Sequence, residues 1–477
     1  DAKQELRDAF DEVYLLGVEK LEIDNNEIGL KYHILREKPN QRFLVYHAGP
    51  QPDDLNNWLL DVQLANGVFT ADKVSIWMAE LELGPEYRNL IEEHSDFFNA
   101  ALRRDALRAR AIKGNPHHLI RLKMMATCLG VSVEARVENI LFALFDELAS
   151  GRSGDYESLE KFGLLKYLWS DLESIYAYKT DQPHINDFTI NLFEACYRLN
   201  LDEAANLNNE ALILMNHWQD SAKYRDSFET LSDRFGELLG ITEDLRKRQL
   251  SELRPLDLFK RIDFQILQEL MTGVVDRSIT ETQCKEIVHQ RSTTYWYEDF
   301  FKEMYQAVYT ATQIFSRLHD FHLDITTLPD GIHKYASTWY QIDQLYREYI
   351  YFVRQSKQTT FFETLNGMVE GHYNNNFLKT LNNNWQLVVD SLTHWRDLQI
   401  KMQRHFYEDF VNPILSQGAK VAVVISDAMR YEVGEAFCAR IVREGRFTAE
   451  ITPMLGVLPS YTQLGMAALL PNKALEI

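Results

Sequence analysis

The sequence predicts an α/β protein with a large all-helical middle region. Three observations predict this class. Helix and strand patterns alternate over the first 84 residues, helical periodicity with few glycines or prolines then continues to about residue 417, and a continuous apolar run, Val421–Ile425, follows. We therefore divide the 477 residues into a small α/β domain (1–84), a helical domain (85–417) and the beginning of a second α/β domain (418–477).

The first domain is predicted from short β-prone runs that are separated by helical pattern. Residues 5–16 have the spacing of an amphipathic helix, and Arg42–Tyr46 and Val74–Trp77 are rich in residue types favoured in strands. Such alternation is typical of parallel strands. The loop His47–Asp54 follows a strand, where ligands bind in α/β sheets. It lacks a phosphate-binding glycine pattern, so an ordinary strand-to-helix turn is favoured.

The helical domain contains a segment crowded with aromatic residues. Its apolar residues recur at the i, i+3, i+4 spacing of helices, without a clear repeat period. The crowded segment is residues 294–352, with Tyr295, Trp296, Tyr297, Phe300, Tyr305, Tyr309, Trp339, Tyr340, Tyr346 and Tyr349. Aromatic side chains can stack on single-stranded nucleic acid, but basic residues are not especially interleaved here. Packing between helices, or docking of a protein, is the favoured interpretation.

The charge distribution argues against a general nucleic-acid-binding surface. The net charge is −20, which excludes a protein whose whole surface follows nucleic acid. One local exception is segment 101–123, where a single acid, Asp105, accompanies seven basic residues: Arg103, Arg104, Arg108, Arg110, Lys113, Arg121 and Lys123. A solvated helix face or contact with acidic neighbours is favoured over nucleic-acid binding. Direct nucleic-acid binding by this chain is therefore not expected.

Cysteine usage and hydropathy predict a cytoplasmic protein. The four cysteines are far apart and form no metal-binding or disulfide spacing: Cys128, Cys196, Cys284 and Cys438. We interpret them as small buried apolar residues. No apolar run approaches the ~20 residues that cross a bilayer, and no signal peptide is evident.

The last sixty residues carry the pattern with the most chemical content. Val421–Asp427 is typical of a strand buried on both faces, with Asp427 at the strand end where ligands bind. Thr462 is predicted in the first turn of an apolar helix, because Ser460 and Gln463 have capping-box spacing. A hydroxyl there faces unpaired amides and the positive helix end, which suits phosphate. Glu450–Thr452 is predicted to form a second strand.

These segments resemble a known family. The stretches VAVVISDAMRYEVGEAFCARI (421–441) and ITPMLGVLPSYTQLGMAALLP (451–471) closely resemble the opening of the PglZ domain. That domain belongs to the alkaline phosphatase superfamily and is found in the BREX bacteriophage-exclusion systems. Residues 26–73 also resemble the start of these proteins, which implies similarity over the whole chain.

The resemblance implies roles for two residues. Asp427 would be a metal ligand, and Thr462 would be both the nucleophile and a metal ligand, usually with zinc in a two-metal site. A bound cation lowers the pKa of such a hydroxyl, and a second cation stabilises the leaving oxygen. Each residue also has a non-catalytic interpretation. An aspartate after a strand often caps the next helix, and a threonine in a first helical turn often serves only to stabilise the fold. Ser460 is a rival nucleophile, and Arg430 is equally compatible with phosphate contact and with a solvated position.

The remaining aspartate and histidine ligands of the superfamily come from later strands, and none can be assigned here. We therefore expect an N-terminal portion of a larger protein, without a complete active site. Two hypotheses follow. The larger protein is a metal-dependent phosphatase or phosphodiesterase (nuclease) of a BREX defence complex, in which this portion docks partners. Alternatively, the chain is a non-catalytic assembly scaffold. The expected partners are other BREX proteins, BrxB first and the PglX methyltransferase second.

Overall fold

The computed structural model describes residues 1, 4, 6–66, 72–396 and 399–475. Within these ranges the fold is mostly helical, with a small sheet of two parallel strands near the N-terminus. The chain divides into two compact units, Asp1–Phe235 and Gly236–Ile477, which are described separately. The predicted fold class is confirmed, and the predicted domain boundaries stay predictions.

Helices form most of each unit. Those of the first unit are α1 (Arg7–Glu12), α2 (Glu27–Tyr32), α3 (Leu60–Ala65), α4 (Lys73–Glu80), α5 (Arg88–Glu93), α6 (Ser95–Phe98), α7 (Ala101–Arg108), α8 (His117–Cys128), α9 (Val137–Ala149), α10 (Gly154–Lys161), α11 (Leu165–Tyr176), α12 (Ile185–Leu199) and α13 (Glu210–Asp220). Helix α14 (Arg225–Leu238) contains the boundary between the units.

The second unit continues with α15 (Ile241–Leu245), α16 (Leu250–Leu253), α17 (Lys260–Val275), α18 (Glu281–Arg291), α19 (Lys302–Asp320), α20 (Leu328–Lys334), α21 (Tyr340–Gln355), α22 (Glu363–Gly371), α23 (Lys379–Asp390), α24 (Asn412–Ser416), α25 (Tyr431–Arg443) and α26 (Thr462–Leu469). Short π-helical turns include Tyr335–Trp339, and Gln403–His405 is a 3-10 turn. In the described ranges, no helix is both long enough and apolar enough to cross a membrane.

The sheet of the first unit pairs β1 (Val18–Ile23) with β2 (Arg42–His47). The strands are parallel, with Val18 opposite Arg42 at one end and Ile23 opposite His47 at the other. The predicted strand at Arg42–Tyr46 is therefore confirmed. Strand β1 was not predicted, because half of its residues are charged and its pattern is not typical of a strand buried on both faces.

The predicted strand at Val74–Trp77 is wrong, because these residues lie within α4. Asp72 caps this helix by accepting a hydrogen bond from the Ser75 amide (2.9 Å), and it also pairs with Arg88 (2.9 Å). Val74 and Trp77 are both buried, and their separation of three residues places them on one helical face. The cap and this buried face outweigh the β propensity of the individual residues.

The predicted strands at Val421–Asp427 and Glu450–Thr452 are also wrong in the described structure, where both segments lack regular structure. The apolar run is exposed rather than buried, and the side chain of Val424 is 90% exposed. A strand needs a neighbour to satisfy its backbone N–H and C=O groups. No described segment pairs with either run, which explains why apolar pattern alone does not produce a strand here.

The aromatic-rich segment 294–352 packs inside the second unit. Trp296, Tyr305 and Tyr349 are fully buried, and Trp339 is nearly so. Tyr305 on α19 stacks on Tyr297 with ring centroids 5.7 Å apart. The predicted role in packing between helices is confirmed for these side chains, and stacking on nucleic acid is excluded for them by burial.

Candidate functional site

Thr462 is the first residue of α26, as predicted. The residue before the helix, Tyr461, has extended backbone angles (φ −124°, ψ 154°) and occupies the N-cap position without a side-chain cap. The predicted capping box from Ser460 to Gln463 is therefore wrong. The helix begins one residue later than that spacing requires, so Ser460 lies outside the cap position. The first-turn amides of α26 are left without a side-chain acceptor.

The Thr462 side chain is exposed, and the helix behind it is anchored by apolar contacts. Leu464 and Ala468 are buried on the opposite face of α26. In the described structure the Thr462 hydroxyl makes no hydrogen bond. An exposed, unbonded hydroxyl at a helix N-terminus is accessible to a substrate or an ion.

Gln403 holds the loop that leads to Thr462, and sequence reasoning missed it. Its Oε1 accepts a hydrogen bond from the Val457 amide (3.2 Å), and its Nε2 donates to the Gly465 carbonyl (3.2 Å). One bond lies in the loop before α26, and the other lies in the first turn of α26. The Gln403 amide also donates a backbone hydrogen bond to the Leu455 carbonyl (2.9 Å). No local pattern marks Gln403, since its role depends on partners more than fifty residues away.

Asp427 lies in an exposed turn three residues before the N-cap of α25. The next residue, Ala428, has φ +55°, a left-handed conformation that residues with a side chain seldom adopt. The alternative role of Asp427 as a cap of the following helix is wrong, because Arg430 occupies the N-cap position. In the described ranges the Asp427 carboxylate forms no hydrogen bond or ion pair, with Thr462 or with any other residue.

The described residues do not by themselves fit a zinc site. No group of three or more His, Cys, Asp or Glu side chains is arranged there to hold a metal ion. Asp427 and Thr462 offer one carboxylate and one hydroxyl, whereas a protein-bound zinc ion takes about four ligands. These two residues are therefore at most part of a ligand set.

The side chain of Arg430 is half exposed, but its guanidinium also contacts buried groups of the second unit. Its Nη2 lies 2.7 Å from Oδ1 of Asp343, a nearly buried residue of α21. The same nitrogen donates to the Tyr373 hydroxyl (3.2 Å). Burial lowers the pKa of Arg430, but the Tyr373 hydrogen bond and the Asp343 charge outweigh it and raise the pKa. The guanidinium is thus committed to an internal contact.

The basic segment 101–123 is also committed to internal contacts, all within the first unit. Three of its cations pair with acids outside the segment: Arg104 with Glu80 (2.6 Å), Lys113 with Glu82 (2.8 Å) and Arg121 with Glu93 (2.8 Å). Arg103, Arg110 and Lys123 donate to backbone carbonyls, and Arg108 pairs with Asp105. These contacts support the favoured interpretation, in which the segment serves the fold rather than nucleic acid.

The comparison with known families concerns the segment that contains both site residues. Residues 406–477 match the family described as "BREX system PglZ alkaline phosphatase-like domain". This segment is similar to the PglZ family. The predicted resemblance is thereby confirmed, and Asp427 and Thr462 both lie inside the PglZ-like segment, which we define as residues 406–477.

Two curated relatives extend the PglZ-like similarity to the rest of the chain. It is 27% identical to the alkaline phosphatase-like protein PglZ of Bacillus cereus (strain H3081.97), over 100% of this chain and 57% of the relative. It is 28% identical to the alkaline phosphatase-like protein BrxZ of Escherichia coli O9:H4 (strain HS), over 98% of this chain and 58% of the relative. The chain thus spans less than two thirds of these relatives' length. No solved structure gives a significant match.

Proposed function

We propose that this chain belongs to a component of a BREX bacteriophage-defence complex whose PglZ-like domain is a metal-dependent phosphoryl-transfer hydrolase. The reaction class is hydrolysis of a phosphomonoester or of a phosphodiester, as in a nuclease. The observation that carries the proposal is the exposed Thr462 hydroxyl at the start of α26, inside the PglZ-like segment. Both relatives are named alkaline phosphatase-like proteins, which supports the same class.

In this proposal Thr462 is the nucleophile. Its hydroxyl stands beside the first-turn amides of α26, which lack a side-chain cap. Those amides and the positive helix end favour an anionic phosphate close to the hydroxyl. Attack of the hydroxyl oxygen on phosphorus would form a phosphothreonine as the bond to the leaving oxygen breaks, and that oxygen would leave as the alcohol with the hydroxyl proton. Water would then hydrolyse the phosphothreonine, which releases phosphate (or a phosphomonoester from a diester) and regenerates the threonine.

Asp427 and Thr462 are proposed as part of a metal ligand set, with zinc as the expected metal. The carboxylate of Asp427 is exposed and free of internal ion pairs in the described structure, so it is available to a cation. The rest of the set is not supplied by the described residues, and we assign no reaction step to the metal.

The alternative function, a non-catalytic scaffold that docks other BREX proteins, is favoured by a different observation. The first unit exposes large apolar side chains, among them Leu16 (89% exposed) and Leu55 (98% exposed). Large contiguous apolar patches mark protein interaction surfaces, and the scaffold hypothesis takes these side chains as parts of such a patch. The two functions are compatible in one protein, with docking by the first unit and hydrolysis by the PglZ-like domain.

The deciding experiment is hydrolysis of aryl phosphate and phosphodiester esters by the full-length protein and its Thr462→Ala variant. We expect a loss of at least about a hundredfold in kcat, as for removal of a nucleophile. Thr360→Ala, at another exposed threonine of the second unit, is the matched control and should retain activity. Full activity of Thr462→Ala would contradict the assignment, and Ser460→Ala would then test the rival nucleophile.

A further inference from the structure

The start of α25 is fastened to the helices of the second unit by one arginine. Arg430 contacts Asp343 on α21 through Nη2 (2.7 Å), and its Nε lies 3.3 Å from Oε1 of Glu432. The same guanidinium donates to the Tyr373 hydroxyl (3.2 Å). One cation therefore joins two acids, one on α21 and one in the first turn of α25. We name Arg430, Asp343, Glu432 and Tyr373 the Arg430 cluster.

Both acids of the Arg430 cluster are buried. Asp343 accepts hydrogen bonds from the hydroxyls of Tyr335 and Tyr373, each at 2.5 Å. Glu432 is fully buried, and within the described structure neither of its carboxylate oxygens has a hydrogen-bond partner. Apart from Arg430, its charge is offset by Arg347, whose Nε lies 3.7 Å away. A buried carboxylate without a nearby cation is strongly unfavourable, and Arg430 is a cation that lies close to both acids.

Aromatic packing fixes the same turn from another side. The Tyr431 ring meets the rings of Tyr335 and Tyr340 edge-on, with centroids 6.0 Å and 5.7 Å away. Its hydroxyl donates to the Ala336 carbonyl (3.4 Å). The first turn of α25 is thus held by charge and by apolar contact, whereas Phe437 and Val442 farther along the helix are exposed.

We infer that Arg430 is a positioning residue that fixes the turn at Asp427 on the helical part of the second unit. Asp427 is three residues before Arg430, and three residues span at most about 10 Å of chain. The left-handed conformation of Ala428 lies between them. Holding Arg430 therefore restricts where the Asp427 carboxylate can lie.

The partner of Arg430, Asp343, is outside the PglZ-like segment. Through Arg430, the helical region therefore contacts the segment that contains the candidate site.

The first test measures hydrogen–deuterium exchange of the full-length protein, which requires no enzymatic activity. In Arg430→Met and Asp343→Asn, the amides of residues 433–436, the first to be hydrogen-bonded in α25, should exchange about tenfold faster than in the wild type, because the contact that holds Arg430 is lost. Arg430→Lys should restore part of the protection. Arg443→Met, at an exposed arginine near the end of the same helix, is the matched control and should leave exchange unchanged. Unchanged exchange in Arg430→Met and Asp343→Asn overturns the inference. A rise spread evenly over the whole second unit also overturns it, because it shows general destabilisation.

The second test measures hydrolysis, and this part of the inference rests on the proposed function. Arg430→Met should lower kcat at least about tenfold with little change in KM, since a displaced ligand side chain weakens transition-state contacts. If Thr462→Ala is inactive but Arg430→Met keeps full kcat, the positioning role is wrong and the proposed function stands. If Thr462→Ala keeps full activity, the proposed nucleophile fails, and the exchange measurement alone decides on Arg430. If Arg430→Met does not fold, the exchange and hydrolysis measurements are made on Arg430→Lys and Asp343→Asn instead.

Discussion

Asp263 and Arg291 form a fully buried, two-pronged ion pair in the second unit. Arg291 Nη2 lies 2.8 Å from Oδ2 of Asp263, and Nε lies 2.9 Å from Oδ1. The Tyr305 hydroxyl donates to the same carboxylate (2.7 Å), and Nη1 donates to the Arg254 carbonyl (2.8 Å). Burial raises the pKa of Asp263, and the charge of Arg291 opposes that shift. The pair joins α17 to α18 and to α19.

Removing one partner of this pair should destabilise the protein more than removing both. Arg291→Met leaves a buried carboxylate without its cation, and we expect the free energy of unfolding to fall by about 3–5 kcal/mol. In Arg291→Met/Asp263→Leu the loss should be smaller, because no charge remains buried. Urea unfolding followed by tryptophan fluorescence measures both.

Arg136→Met serves as the control for this pair. Arg136 contacts Glu134 with both side chains well exposed, so its loss should change the unfolding free energy by no more than about 1 kcal/mol. Equal losses in the single and double variants would contradict a specific role of the Asp263–Arg291 pair.

Local pattern predicted strand β2 and placed Thr462 in the first turn of α26, because short apolar runs are encoded by neighbouring residues. The capping box used for the second prediction is wrong, since Tyr461 occupies the N-cap position. Local pattern failed at Val74–Trp77, where a cap from Asp72 and a buried helical face outweigh strand propensity. It also failed at Val421–Asp427, since a strand depends on partners elsewhere in the chain. The Arg430–Asp343 contact could not be predicted from local pattern for the same reason, because the two residues are far apart in the sequence. Arg430 alone fits a phosphate ligand, a surface residue or an internal tether, and only the fold decides among them.

Glu93 should make the first unit sensitive to acid. It accepts from Lys166 (2.5 Å), from Tyr167 and from Arg121 (2.8 Å). Burial raises its pKa, but these hydrogen bonds outweigh burial and lower the pKa from 4.5 to about 2. A lowered pKa means that the ionised form is stabilised by folding. This contribution is complete above pH 4.5 and is lost as the pH falls toward 2.

The variant Glu93→Gln tests this pH dependence by urea unfolding at a series of pH values. The wild type should be more stable than the variant by a constant margin from pH ~7 to ~5, and the margin should shrink below pH ~4.5. Glu134→Gln, which removes an exposed carboxylate, is the control and should show a small margin throughout. A margin that grows on acidification would have the wrong sign and would refute the assignment.

Gln403 should position Thr462. Gln403→Leu removes the bonds to the Val457 amide and the Gly465 carbonyl, and the loop before α26 should lose its fixed geometry. We expect a loss of about 1–2 kcal/mol in unfolding free energy and, in the full-length protein, a decrease in kcat of about tenfold. Gln417→Leu, at an exposed glutamine without these contacts, should change neither quantity. Retained kcat in Gln403→Leu, measured beside an inactive Thr462→Ala, would show that the loop is held by other contacts.

The isolated 1–477 chain should hold zinc weakly or not at all. Asp427 and Thr462 supply two ligands, and a zinc site takes about four. Metal analysis after extensive dialysis against zinc-containing and then zinc-free buffer measures retention, and Asp427→Asn should not alter it. One tightly held zinc per chain would contradict this expectation. Variants of His117 and His118, which lie at the start of α8, would then locate the ligands.

On the proposed function, we predict a stable complex with another BREX protein through the two N-terminal predicted domains (1–417). BrxB is the preferred partner and the PglX methyltransferase is the second. The exposed side chains of Leu16 and Leu55 offer apolar area that a partner would cover, and such area is enriched in the cores of interfaces. Contact with DNA would come mostly from partners, since the net charge of this chain is −20.

Co-expression with each BREX protein followed by size-exclusion chromatography tests this docking role. We expect co-elution with the wild-type chain and at least about a tenfold lower affinity for Leu16→Ser/Leu55→Ser, because a leucine side chain buried by a partner contributes on the order of 1.5 kcal/mol or more. Leu102→Ser, at an equally exposed leucine (84%) on α7, is the matched control and should retain the partner. If residues 1–415 capture no BREX protein while the region beyond 415 does, the PglZ-like segment docks the partner. The proposed docking role of the N-terminal residues is then wrong. Equal affinity for wild type and both variants would place the interface elsewhere in the first 415 residues, away from Leu16 and Leu55.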